Sequence, residues 1–161
     1  MKTLSVSSET ELAEPLLNLT RELLGSGLKV RIVLKGYSMF PFLAPGNYGL
    51  VAQCVPEKLK IGDVVAYERD KKIILHRVWM VQQNQYGVFI VCRGDAQKDF
   101  DKAILGTEII GSLDGYQKWG RNFRAAGFRA WVFRLLVLHF ARLFPLVKRV
   151  FFKSKSFFRR K

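Results

Sequence analysis

The segment KGYSMFPFLAPGNYGLV, residues 35–51, places Ser38 in a turn between two apolar runs. A free surface turn favours Gly, Asn or Asp. Here Met39 and Pro41 follow almost at once, a combination that fixes a serine instead of leaving it solvated. A serine hydroxyl becomes a nucleophile only when a base within hydrogen-bond reach takes its proton. The chain has two histidines: His139 reads as a helix-face residue, and His76 lies inside the apolar run KIILHRVWMV. A carboxylate is then needed to fix the imidazole tautomer and to stabilise its charged form. The segment CRGDAQKDFD offers Asp95, Asp99 and Asp101. Taken singly, a strand histidine is commonly a core or edge residue and a turn aspartate a solvated acid; only together do they spell nucleophilic chemistry. Lys35, Lys71 and Lys72 are rival bases, but a catalytic lysine must be neutral near pH 7, which takes burial or a neighbouring cation. Lys71 and Lys72 fall in an expected turn, and no apolar surround is legible around Lys35. An unperturbed imidazole titrates near ~6.5 without such tuning, so histidine is the better base.

These residues must be held by the elements around them. Residues 9–24 read as a helix, with leucines 12, 16, 19, 23 and 24 on one side, Pro15 in its first turns and Gly25 as its stop. The runs LKVRIVLK, YGLVAQCV, DVVAYER, KIILHRVWMV, YGVFIVCR and ILGTEIIGSL then read as strands separated by turn residues. DVVAYER and KIILHRVWMV, joined through Asp70, Lys71 and Lys72, read as a hairpin. Short strands at this spacing predict a mainly β, compact antiparallel domain over residues 1–117, preceded by the N-terminal helix.

Composition divides the chain. Aliphatic and aromatic residues make up 49% of it, enough for a real core, yet the net charge is +14. All thirteen acidic residues lie at or before Asp114, whereas residues 118–161 hold thirteen Lys and Arg and no acid. That asymmetry predicts a polyanionic partner for a tail over 118–161. The segment FRAWVFRLLVLHFARLFPLVKRVFF has a helical period, with Phe133, Leu136, Phe140, Leu143, Phe144, Val147 and Phe151 on one side. A basic amphipathic helix of this kind suits an anionic membrane surface; its aromatic side suits lipid better than a phosphate backbone, which makes nucleic acid the weaker partner. Arg134 and Arg142 interrupt residues 130–147, so no clean span is expected there. The expected localisation is membrane-associated through this segment. The first residues, MKTLSVSSETELAEPLLNL, lack the continuous apolar stretch of a signal peptide. Cys54 and Cys92 have no metal-like spacing and read as small buried hydrophobes, with a disulfide between them the other option.

The array Gly36-x-Ser38-Met39-x-Pro41, then IGDVVAYE, LHRV and RGDAQKDFD, in this order and spacing, resembles type I signal peptidases, whose clan includes the autoproteolytic SOS repressors. The resemblance runs from about residue 29 to 113. The Lys-dyad branch has a lysine before an Arg on this strand; this chain has His76 before Arg77, as in the Ser-His branch of archaeal, endoplasmic-reticulum and some Gram-positive enzymes. The resemblance implies Ser38 as nucleophile, His76 as general base and Asp101 as the partner of the histidine. It gives Asp95 a part in shaping the site, with Asp99 a weaker competitor for the partner's place. Backbone N–H groups near Ser38 would form the oxyanion hole. It implies no metal or organic cofactor, and as substrate a protein or peptide with a leader or signal segment, cut after small residues. The chain departs from signal peptidases in having Gly36 where a hydroxyl residue is usual, as the SOS repressors do. It is also expected to lack their N-terminal anchor and the large inserted β domain. Two other readings are a catalytically degenerate relative that binds lipid or nucleic acid and an SOS-repressor-like autoprotease. The first 28 residues are short for a helix-turn-helix domain, and the full Ser, His and Asp set favours the peptidase.

Overall fold

Runs of Val, Ile, Leu and Tyr broken by Gly, Pro and Asp-Lys turns leave this chain little choice but short strands that pair with their neighbours. The computed structural model describes residues 7–118 and 120–125, which lie in the first of two units, Met1–Ala126. The expected C-terminal helix, with His139 and the stretch 130–147, lies outside the described residues. Helix α1 (Ser7–Gly25) is followed by strands β1 (Val30–Val33), β2 (Tyr48–Ala52), β3 (Val64–Arg69), β4 (Lys72–Asn84), β5 (Gly87–Arg93), β6 (Ile104–Leu105), β7 (Ile109–Lys118) and β8 (Arg121–Arg124). They form one antiparallel sheet in the order β1-β2-β7-β3-β4-β5-β6, with β8 on the β3 side of β7.

Helix α1 begins two residues earlier than expected, which puts Pro15 in its interior. The leucine face also differs from the reading. Leu17, Thr20 and Leu24 are the buried stripe, while Leu16 and Leu19 are 61% and 49% exposed. Two adjacent leucine stripes run along this helix at 3.6-residue spacing, and the pattern alone does not say which one packs. The run ILGTEIIGSL is not one strand: β6 stops after two residues, a 3₁₀ turn at Gly106–Glu108 intervenes, and β7 follows. The sheet also continues past residue 117 into β8, whose four residues are all exposed. With no buried alternation, β8 is held by its backbone pairing with Gly115–Lys118 and by the Phe123 ring stacked on Tyr116, 5.3 Å between centroids.

β3 and β4 form the hairpin that carries Tyr67, Arg69 and His76. Arg69 pairs with Lys72, and the two residues between them, Asp70 and Lys71, have φ of 51° and 58°. That is the left-handed geometry of a two-residue hairpin turn, which matches the twist of the flanking strands. β3 lies between β7 and β4 and is buried at four successive residues, so it reads as a continuous apolar run, whereas β5 alternates. The main cluster gathers Leu59, Val65, Tyr67, Val78, Val88, Ile90, Cys92 and Ile104. Cys54 packs on this cluster, Cys92 is fully buried within it, and both thiols are free. Among the described residues no helix is long and apolar enough to cross a membrane.

Candidate active site

Ser38 sits in the turn that follows β1. Met39, Phe42 and Leu43 are 3%, 7% and 1% exposed and pin this turn to the core, while Tyr37 and Phe40 face outward. Backbone bonds from Phe40 N–H to the Tyr37 carbonyl and from Leu43 N–H to the Met39 carbonyl close it, and the Phe40–Pro41 peptide is cis. Met39 therefore follows the serine because it anchors it. Ser38 itself is half-buried.

His76 is buried in the middle of β4, opposite Val65 of β3. Its Nδ1 lies 2.6 Å from Asp101 Oδ2, with both side chains under a tenth exposed. The Tyr67 hydroxyl donates to the same Asp101 oxygen at 2.8 Å, and Arg69 Nη1 donates to the other oxygen at 2.9 Å. A carboxylate that takes these donors accepts at Nδ1–H, so the proton belongs on Nδ1 and Nε2 is left as the basic nitrogen. Burial alone would raise the Asp101 carboxyl. The hydrogen bond and charge of His76, with the bonds from Tyr67 and Arg69, outweigh it and hold the group below the usual carboxylate range. Burial first, and then the bond to Asp101 and its charge, push the Tyr67 hydroxyl far above the ordinary phenol range, so it remains a donor.

The loop 94–101 ties the two halves together. The Ala96 N–H donates to the Ser38 carbonyl at 2.8 Å, and the Asp101 N–H donates to the Cys92 carbonyl at 2.9 Å. Gly94 lies directly under the serine: a Cβ there would stand 2.6 Å from the Ser38 carbonyl oxygen and 3.0 Å from its Cβ. Arg77 pairs with Arg93 across β4 and β5. That is the last pair of β5, so the turn that begins at Gly94 leaves the sheet beside Arg77, the residue next to His76, and carries the support of Ser38 there. No hydrogen bond joins Ser38 to His76 among the described residues; such contacts commonly tighten only around substrate.

Asp95 turns to a different partner. Arg77 grips it with two bonds, Nε to Oδ1 at 2.7 Å and Nη2 to Oδ2 at 2.6 Å, with side chains 2% and 0% exposed. Arg77 also donates to the Gly62 carbonyl at 2.8 Å and lies over the Phe42 ring, 4.9 Å from its centroid. This pair locks the start of the 94–101 loop to β4 and, through Phe42, to the serine turn. At the other end of the loop, Phe100 and Trp79 flank the Arg93 guanidinium at 4.9 Å and 3.8 Å. Trp79 is the extra residue of a bulge in β4, between the Val78–Cys92 and Met80–Val91 pairs. Asp99 is exposed.

The rival lysines are on the surface. Lys35, Lys71 and Lys72 are all exposed, and Lys71 pairs with Glu14 at 3.1 Å. Tyr67, Arg69 and the bond between Arg77 and Asp95 were not legible as site features. In sequence, Tyr67 and Arg69 are ordinary members of a strand, and only the alternation that puts residues 67 and 69 on one face hints at a shared role. No family model matches the chain, and no curated protein matches it significantly.

Proposed function

We propose that the chain is a serine endopeptidase of the signal-peptidase type, with Ser38 as nucleophile, His76 as general base and Asp101 as the carboxylate that orients it. The observation that carries this reading is the 2.6 Å contact between His76 Nδ1 and Asp101, made by the same loop whose Ala96 N–H holds Ser38. With Nδ1–H given to Asp101, Nε2 accepts the Ser38 proton as Oγ attacks the scissile carbonyl. The ionised Asp101 stabilises the imidazolium that forms. His76 then hands the proton to the leaving amine, and a water activated by the same imidazole releases the acyl group. The N–H groups of Ser38 and Met39 make no hydrogen bond among the described residues, which suits them to the tetrahedral oxyanion. Lys35, Lys71 and Lys72 are exposed, whereas a lysine base needs burial or a neighbouring cation, which argues against a lysine base here.

The substrate class that goes with this chemistry is a protein carrying a leader or signal segment, cut after small residues. The basic segment 118–161, with its amphipathic helical period, would bring the enzyme to an anionic membrane surface. The test is to express the protein and its Ser38→Ala variant in the native cell and compare newly generated protein N-termini. Termini preceded by small residues should be lost in the variant; identical sets would refute the reading.

A further inference from the structure

We propose that Tyr67 and Arg69 are positioning residues that clamp the Asp101 carboxylate against His76, so that the site works as a unit of five side chains with Ser38. The proposal rests on the hydrolytic reading above and assigns it two residues from a neighbouring strand.

A carboxylate fixes an imidazole only if it cannot turn away. Asp101 comes from a loop, and loops hold side chains less firmly than strands do. Here β3 supplies the firmness. Residues 67 and 69 share one face of β3, and each takes one side of the carboxylate: Tyr67 binds Oδ2, already shared with His76, and Arg69 binds Oδ1. Rotation of the carboxylate would break all three bonds at once. The clamp is itself braced. Tyr67 is fully buried, its ring meets the His76 ring edge-on at 6.2 Å, and the Arg69 guanidinium lies over the Tyr67 ring at 5.3 Å. Tyr67 Oη also lies 3.2 Å from His76 Nδ1, so the phenol touches both members of the pair.

The clamp also sets the charge balance around the imidazole. The groups facing Asp101 are Tyr67 and Arg69 from β3, His76 from β4 and Cys92 from β5, with Asp70 acting on Arg69. Burial, then the Asp101 charge, push the Cys92 thiol up to about 12, so it carries no charge in the working range. The Tyr67 phenol is likewise neutral. The Arg69 cation competes with a charged imidazole for Asp101. Removing it leaves the carboxylate to favour the imidazolium, and removing the Tyr67 hydroxyl acts in the same direction by taking away a donor from the shared oxygen.

The test uses the full chain in detergent, with Tyr67→Phe, Arg69→Met and Arg69→Lys variants checked for folding by urea denaturation. In ¹⁵N-histidine spectra, with the His76 signals assigned by their loss in His76→Gln, the imidazole of Tyr67→Phe and of Arg69→Met should titrate at higher pH than wild type. A displacement of roughly half a unit or more is expected. With a leader-peptide substrate, the ascending limb of kcat/KM against pH should move the same way. At neutral pH kcat should fall severalfold with KM little changed, and Arg69→Lys should keep more of the wild-type profile than Arg69→Met. Folded Tyr67→Phe and Arg69→Met proteins that titrate and cleave like wild type would overturn the clamp. Because the spectra need no substrate, a displaced titration with no cleavage by any protein, wild type included, would support the clamp and sink the peptidase reading instead.

Discussion

Asp95→Asn should destabilise the fold more than any other single change near the site. The substitution keeps the shape of the side chain but leaves the Arg77 guanidinium, 2% exposed, as a buried cation without its counter-charge. One of the two short bonds is lost, because the amide NH2 cannot accept, and the acceptors that remain, the Asn oxygen and the Gly62 carbonyl, are both neutral. Breaking a buried pair from one side costs about 3–5 kcal/mol. A domain of this size has about 5–15 kcal/mol in total, so about a fifth of the stability or more is at stake. Urea denaturation of the full chain, followed by circular dichroism, should show the midpoint falling by at least ~1 M with little change in slope. Replacing both partners by apolar residues, Arg77→Met with Asp95→Leu, should cost less than Asp95→Asn alone, because no charge is then stranded. At temperatures where Asp95→Asn is folded, its activity should exceed that of His76→Ala, since Asp95 holds the loop and does not touch the imidazole. A loss under about 1 kcal/mol would refute the argument, for it would mean that Arg77 reaches water or another acceptor.

Three further outcomes follow from particular contacts. Gly94→Ala puts a Cβ 2.6 Å from the Ser38 carbonyl oxygen; backbone must move, and kcat/KM should fall about 100-fold or more, whereas unchanged kinetics would remove Gly94 from the serine's support. Asp101 is held below the usual carboxylate range in the fold, so its contribution is present above the unfolded value of ~3.9 and is lost as pH falls through the lower folded value. The urea midpoint of wild type should therefore drop more steeply below about pH 4 than that of Asp101→Asn; parallel curves would contradict the pairing. The full chain should bind anionic vesicles more weakly as salt rises, and replacing the seven Lys and Arg of residues 148–161 by Gln should weaken binding more than ~10-fold. Binding that ignores both salt and these substitutions would point to an apolar mode of attachment.

Much of this arrangement is legible in the residues. The strands around His76 and the hairpin turn at Asp70 and Lys71 follow from alternation and turn chemistry, whereas Asp101 as the partner of His76 comes only from the family resemblance. What is not legible has physical causes. β8 is four exposed residues held by backbone pairing and one ring stack of Phe123 on Tyr116, so its sequence RNFR looks like the start of the basic tail. The buried stripe of α1 depends on which leucines meet the sheet, not on how many there are. Asp95 and Asp101 look equivalent in CRGDAQKDFD, and only the fold sends one to Arg77 and the other to His76. Tyr67 and Arg69 act across the sheet on a loop thirty residues away in the chain, a relation that periodicity along one strand cannot express.

The central claim is that Ser38 and His76 act as one catalytic unit. Its most direct test is the cleavage rate of a leader-peptide substrate by wild type, Ser38→Ala, His76→Ala and the double variant, each confirmed to be folded. Each single change should lower kcat by orders of magnitude, and the double variant should be little slower than either, because residues that act as a unit lose their effect together. A folded His76→Ala protein with wild-type activity, or losses that multiply in the double variant, would contradict the account.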